Sequence, residues 1–286
     1  MGQLRWLRAS DRLERAEGLD GVVSPVQRIV RKIPPGRFRD ALHGVWLGHP
    51  LHPVLVQVPV GAWMSAALLD VLPDGERQAR HFIGIGLLAS VPAALAGSAD
   101  WAEMHEQQMR VGVVHAAANS TAITMYLGSL VARSRQRTAL GRALGLAGLA
   151  AVTVGGMLGG EISYRQAGGA NHAEEVPHLV EPGWQDMLAV DALTEGKPVR
   201  ALLGEVPVLA IRDGDRVHAL ADKCAHMSGP LSEGEIADGC VTCPWHGSVF
   251  RLGDGTVVHG PATADQPVFR TRIRDGMIQV CLPGAG

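Results

Sequence analysis

The apolar positions of this chain follow two different rhythms. Between residues 54 and 160 they gather into four near-continuous runs, 54–72, 82–99, 111–132 and 143–160. The first run contains Gln57 and Asp70, the second has no charged residue, the third has only the titratable His115, and the fourth is uncharged and rich in glycine. Each is about long enough to cross a hydrocarbon core of roughly 30 Å at a rise of 1.5 Å per residue. Four such runs in so short a stretch are hard to bury in a soluble core, so the pattern predicts a four-helix transmembrane bundle over 43–165. The connections 73–81, 100–110 and 133–140 are short, which makes it an antiparallel up-down bundle. Ala93 and Gly97, Gly141 and Gly145, Gly155 and Gly159, and Gly156 and Gly160 stand four apart, a spacing that lets helices approach closely. Pro59 and Pro92 are expected to kink the first two helices.

Beyond a stretch at 166–183, read as a linker from Gly168, Gly169, Pro177 and Pro182, the rhythm changes. Short strand-like runs follow at 206–212, 217–221, 240–243, 256–258, 268–273 and 277–281, with Gly204, Gly214, Gly253, Gly255 and Gly276 supplying turns. An all-β sandwich over 184–286 is the natural class, making the whole an α + β two-domain chain. Ahead of both lies a basic N-terminal tail, 1–42, with Arg5, Arg8, Arg12, Arg15, Arg28, Arg31, Lys32, Arg37 and Arg39. Leu4, Trp6, Leu7 and Leu13 predict one short amphipathic helix there, and Val26, Ile29, Val30 and Ile33 a second. Such a tail either lies on anionic lipid headgroups or is a solvated helical arm.

Composition narrows the function. The 286 residues carry a net charge of −2, and nothing in that balance points to nucleic acid. The four cysteines are too few for a disulfide framework. No secretory or twin-arginine signal is visible at the start. Four spans put both ends on one side of the membrane. Arg77, Arg80, Arg133, Arg135 and Arg137 on the far side nearly balance Arg37, Arg39, Arg110 and Arg165 on the near side. The basic tail without a signal favours the cytoplasmic side of the cell membrane for both ends.

The candidate chemistry lies at Cys224-Ala-His226 and Cys243-Pro-Trp-His246. Each half offers one thiolate and one imidazole. A [2Fe–2S] centre with two Cys on one iron and two His on the other needs that set. A zinc ion is the alternative, but zinc sites usually pair like ligands at each knuckle. Cys240 and Cys281 are left over and read as buried free thiols. With His246-Gly247-Ser248 closing the second loop and Gly260-Pro261-Ala262 beyond it, residues 184–282 resemble a Rieske domain of the ferredoxin type. The resemblance implies one [2Fe–2S] cluster per chain held by Cys224, His226, Cys243 and His246, with the thiolates on the inner iron. High-potential relatives carry an extra Cys in each cluster loop and a Tyr soon after the second His. Here Gly229, Trp245 and Phe250 stand in those regions, with Ser248 left as a hydrogen-bond donor near the cluster. The expected potential is in the lower part of the range of roughly −150 to +300 mV.

In the helical part, His49-Pro50-Leu51-His52-Pro53 precedes the first run, His115 begins the third, and His105 lies between. This HPLHP stretch with its four runs resembles an uncharacterised family of bacterial four-helix membrane domains, which brings no established activity. Ionisable groups at membrane depth are functional candidates. His49, His52, His105 and His115 could ligate a b-type haem or another metal, bind a quinone, or serve structure alone. His43, His81, His172, His178, His218 and His259 read as isolated surface residues. No dinucleotide fingerprint or catalytic iron triad is present. The leading expectation is a membrane-anchored electron carrier, or a component of an oxidoreductase, that serves a donor or acceptor protein or a quinone. The alternatives are a membrane oxidoreductase using haem or quinone and a redox-sensing membrane protein.

Overall fold

The computed structural model describes residues 5–283 and divides the chain into two compact units. The helices are α1 Arg5–Glu14, α2 Asp20–Val30, α3 Arg37–His43, α4 His52–Leu55, α5 Gln57–Leu69, α6 Glu76–Trp101, α7 Glu106–Ser134, α8 Thr138–Gly160 and α9 Val176–Leu179. The helical unit takes residues up to Pro34 and Pro50–Gly168, and the other unit takes Pro35–His49 and everything from Gly169 on.

In the helical unit, α4 and α5 run on as a single rod, His52–Leu69. Proline in its first turn fits a position where no backbone donor is needed. Together with α6 this rod makes one hairpin, and α7 with α8 makes the other. Among the described residues, three helices are long and apolar enough to cross a membrane: His52–Leu69, Glu76–Trp101 and Thr138–Arg165. Their outward faces carry unshielded aliphatic side chains, such as Leu68 at 67% and Leu88 at 77% exposure. The fourth run lies on α7, which has the length but also Gln107, Gln108, Arg110, His115, Asn119 and Ser129.

The glycines of α8 explain where those polar groups go. A side chain at Gly141 would meet Arg133, one at Gly145 Ser129, one at Gly148 Tyr126, one at Gly155 Asn119, and one at Gly159 His115. The bare backbone of α8 thus forms a groove that receives the polar edge of α7. Ser129 Oγ donates to the Gly141 carbonyl at 2.6 Å. Gly156, by contrast, has nothing within 4 Å, so only some of the spaced glycines serve packing. At the far end Arg133, fully buried, donates to Asp70 at 2.8 and 2.5 Å and to Glu76 at 2.8 Å.

The N-terminal segment is folded against the helical unit. Leu4 lies outside the described residues, but Leu13 packs beside Val111, Leu158 and Ile162, and Val23 beside Trp101 and Met109. Some of its charges are paired: Arg110 grips both Asp20 oxygens at 2.7 Å, Arg31 meets Glu103 at 3.0 Å, and Arg165 binds Asp11. The segment is therefore a packed helical cap rather than a solvated arm.

The second unit holds two antiparallel sheets. One has the order β1-β10-β9-β4-β3-β2, from β1 Gln185–Ala189, β10 Met277–Cys281, β9 Val268–Arg274, β4 Arg216–Ala221, β3 Val206–Asp213 and β2 Val199–Leu203. The other runs β5-β6-β7-β8, from β5 Glu235–Ala237, β6 Cys240–Thr242, β7 Val249–Arg251 and β8 Val257–His259. Strand β3 is buried on both faces, with Val208 and Ala210 in one core and Leu209 and Ile211 in the other. The stretch read as a linker is also folded here: Val176 and Val180 enter the first core, and Ala173 enters the second. Helix α3 belongs to this unit as well, so the expected tail 1–42 and bundle 43–165 divide instead at Pro34 and Pro50.

The buried arginine offers a direct test of the bundle. Arg133→Ala takes the close partner from half-buried Asp70 and leaves it only Arg142 at 3.8 Å, and is expected to cost about 3 kcal/mol. Exposed Arg135→Ala is expected to leave the Tm unchanged in thermal unfolding of the detergent-solubilised chain.

Candidate metal centre

Two loops at one end of the β unit carry the four predicted ligands, and they are built alike. In the loop after β4, Cys224 N–H donates to the Gly229 carbonyl at 2.9 Å, and the Cys224 carbonyl accepts from Ser228 N–H at 2.9 Å. In the loop between β6 and β7, Cys243 N–H donates to the Ser248 carbonyl at 2.8 Å, and its carbonyl accepts from Gly247 N–H at 3.1 Å. Both turns close through a left-handed residue, Ser228 at φ 64° and Gly247 at φ 75°. Glycine takes that conformation freely, and serine takes it at a cost that the loop bonds offset.

Each loop turns backbone N–H groups onto its own sulfur. Cys224 Sγ receives those of His226 and Met227, and Cys243 Sγ those of Trp245 and His246. Such bonds favour the thiolate. The two sulfurs also share a hydrogen bond. Cys243, which accepts it, is lowered to about 7, while Cys224 is pushed up by donating it and by burial. Both thiols are buried, whereas His226 and His246 are only half-buried, their ring centroids 5.1 Å apart. Among the described residues, no three His, Cys, Asp or Glu side chains gather about a single point. The four candidate side chains stand as an inner sulfur pair and an outer imidazole pair, an arrangement that fits a two-iron cluster with Cys on one iron and His on the other.

Buried polar side chains brace the loops. Gln266 donates to the Ala221 and Lys223 carbonyls at 2.8 and 2.7 Å and accepts from Ala225 N–H at 3.0 Å. Asp222 accepts from Ser232 N–H at 2.5 Å and from its hydroxyl at 2.7 Å, and burial holds its pKa above the ordinary carboxylate value. Ser248 Oγ accepts from Ala262 N–H at 2.9 Å, tying the second loop to the 260–262 turn. Gly229 is where the loops come closest: a Cβ there would lie 2.8 Å from Cys243 Sγ and 3.2 Å from the Trp245 ring. Phe250 is fully buried in the core beneath. Cys240 and Cys281 are free, and half-buried rather than buried as expected.

One support escaped the sequence. Asp40, on α3, accepts from Gly260 N–H at 3.0 Å and pairs with His259 Nδ1 at 2.8 Å. His43 is buried beside Gly260, so neither it nor His259 is the isolated surface residue expected. No local pattern could signal a partner some 220 residues away.

The helical histidines are placed separately. His52 and His115 come together, ring centroids 6.2 Å apart. His105 caps the start of α7, its side chain accepting from a backbone N–H of the first turn while Gln108 accepts from His105 N–H at 2.9 Å. His49 belongs to the β unit.

Comparison with known proteins agrees with this division. Residues 183–270 match the Rieske [2Fe-2S] domain model, and residues 48–172 match a predicted membrane protein family, DUF2231. The anthranilate 1,2-dioxygenase ferredoxin subunit of Burkholderia cepacia is 36% identical over 97 residues, which are 34% of this chain and 90% of that protein. Apoptosis-inducing factor 3 of Homo sapiens is 32% identical over 117 residues, 38% of this chain but only 19% of that one. Among solved structures, the ferredoxin of carbazole 1,9a-dioxygenase from Nocardioides aromaticivorans IC177 is 23% identical, with a TM-score of 0.33, over 35% of this chain and 97% of that one.

The close approach at Gly229 predicts a sharp steric effect. Gly229→Val is expected to lower bound iron at least fivefold, whereas Gly253→Ala, with open space around it, is expected to leave it unchanged. Iron analysis of the purified chains reads the difference.

Proposed function

Because this chain belongs to the Rieske [2Fe-2S] family, we propose that it is a membrane-anchored iron–sulfur protein that exchanges single electrons with a partner protein. The observation that carries this reading is the pair of matched loops, with two buried sulfurs bonded by backbone N–H groups beneath two half-buried imidazoles. Cys224 and Cys243 would hold the inner iron as thiolates, and His226 and His246 the outer one through one ring nitrogen each. The bound [2Fe–2S] cluster supplies reversible one-electron chemistry. The chain's own residues supply the rest. Backbone N–H groups draw negative charge from the sulfurs, Leu231, Val241 and Phe250 exclude water from below, and the half-buried imidazoles mark the edge that meets a partner. The match to a dioxygenase ferredoxin subunit supports an oxygenase or reductase component as that partner.

Four crossings, with α7 as the third, make up the proposed anchor. Residues 111–132 of α7 carry no charge, and Arg110 and Arg133 bracket them in ion pairs. Both ends of the chain are assigned to the cytoplasmic side. The potential is assigned to the lower half of the range of roughly −150 to +300 mV. Phe250 has no hydroxyl to offer a ligand sulfur, and no disulfide screens the loops among the described residues.

The test is purification of the full chain from washed membranes in mild detergent, followed by iron and acid-labile sulfide analysis and a redox titration. About two of each per chain are expected. Cys224→Ser and Cys243→Ser are each expected to lose both, and Cys240→Ser and Cys281→Ser to keep them. Zinc in place of iron, or a chain recovered wholly in the soluble fraction, would refute the reading.

A further inference from the structure

The helical unit carries an internal repeat that its sequence conceals. The rod His52–Leu69 and α7 run parallel, and three side-chain pairs join them across the bundle. His52 meets His115 at one end, Trp63 stacks on Tyr126 with centroids 4.3 Å apart, and Asp70 grips Arg133 at the other end. In every pair the partners are 63 residues apart. The return helices repeat as well. His52 Nδ1 bonds to the Ala93 carbonyl at 2.8 Å, and its ring lies against Gly97, where a Cβ would come within 2.6 Å. His115 Nδ1 bonds to the Gly155 carbonyl at 2.8 Å, and its ring lies against Gly159, where a Cβ would come within 3.2 Å. The two hairpins are thus related by a pseudo-two-fold axis along the bundle, and many transporters place their binding sites at the interface between such repeats.

The chemistry of the histidine pair is fixed by those bonds. A carbonyl oxygen only accepts, so each Nδ1 carries a proton, and the neutral ring has its lone pair at Nε2. Metal-ligating histidines are oriented in this way, by a carbonyl on the far nitrogen. Were both Nε2 atoms to face one metal at about 2.0–2.1 Å, the ring centroids would stand about 6.3 Å apart. The observed separation is 6.2 Å, with the planes crossing at 78°. Among the described residues no third His, Cys, Asp or Glu joins the pair. A bare ion would therefore lack ligands, whereas a tetrapyrrole brings four of its own. In this structure Asn119 Nδ2 donates to His115 Nε2 at 3.1 Å and also to the His115 carbonyl at 3.0 Å. Asn119 thus stands where it stabilises the lone pair of His115 Nε2 in the absence of a metal.

We propose that His52 and His115 are the axial ligands of a haem iron seated on the pseudo-two-fold axis, a site independent of the cluster in the β unit. The full chain would be produced with added haem precursor, purified in mild detergent, and assayed by its Soret band and pyridine haemochrome. About one haem per chain is expected, given one iron between two imidazoles. His52→Ala and His115→Ala are each expected to bind at least tenfold less, while His105→Ala keeps full occupancy. His115→Gly with added imidazole is expected to regain the Soret band, which separates a lost ligand from a lost fold. A monodisperse, helical wild-type chain without haem would overturn the proposal. So would haem retained in both alanine variants, or a non-haem metal that disappears with His52→Ala. Cluster iron and sulfide, measured on the same samples, report separately on the β unit.

Discussion

Two buried sulfurs set the architecture of the β unit. A thiolate in an apolar core is costly unless hydrogen-bond donors surround it, and side-chain donors are scarce at the base of these loops. The chain meets the demand with its own backbone. Each cysteine begins a tight turn closed by a left-handed residue, and the turn aims two N–H groups back at the sulfur. The same turn carries the histidine outward, two or three residues on, to the half-buried rim. Gln266, Asp222 and Ser248 then hold the loops in register, and the two-faced strand β3 gives them a rigid floor.

The helical unit meets a similar demand by a different route. Its polar side chains bond to helix carbonyls and lie on glycines. The glycines of α8 therefore admit Arg133, Ser129, Tyr126, Asn119 and His115 rather than only bringing two backbones together. This also explains why α7 is less apolar than its neighbours: its polar residues face a helix built to receive them. One end of the bundle is locked by Arg133 between Asp70 and Glu76, and the other by the capping segment through Arg110 and Asp20.

Much of this was legible in the sequence because it is local. Four apolar runs of helix length gave four helices, and the spacing within Cys224–His226 and Cys243–His246 placed two matched loops. Strand β3 showed itself as an unbroken apolar run. What escaped was non-local or too short. Strands β5 and β7, of three residues, and β1 and β2, of five, carry polar residues such as Glu235, Arg251, Asp186 and Arg200 that break up the apolar pattern. The glycines and prolines of 166–183 read as a linker, yet Ala173, Val176 and Val180 are core residues. Asp40 and His43 buttress a turn more than two hundred residues away, and the 63-residue repeat of the bundle survives in only a few paired positions. Those pairs mean nothing until the helices are set side by side.

The central claim is a mixed ligand set, sulfur within and imidazole without, and pulsed electron paramagnetic resonance tests it most directly. The chain would be labelled with ¹⁵N-histidine and reduced with dithionite. The account predicts strong coupling of the reduced cluster to two histidine nitrogens, falling to one or to no cluster in His226→Ala and in His246→Ala. A reduced cluster with no histidine nitrogen coupled to it would contradict the account.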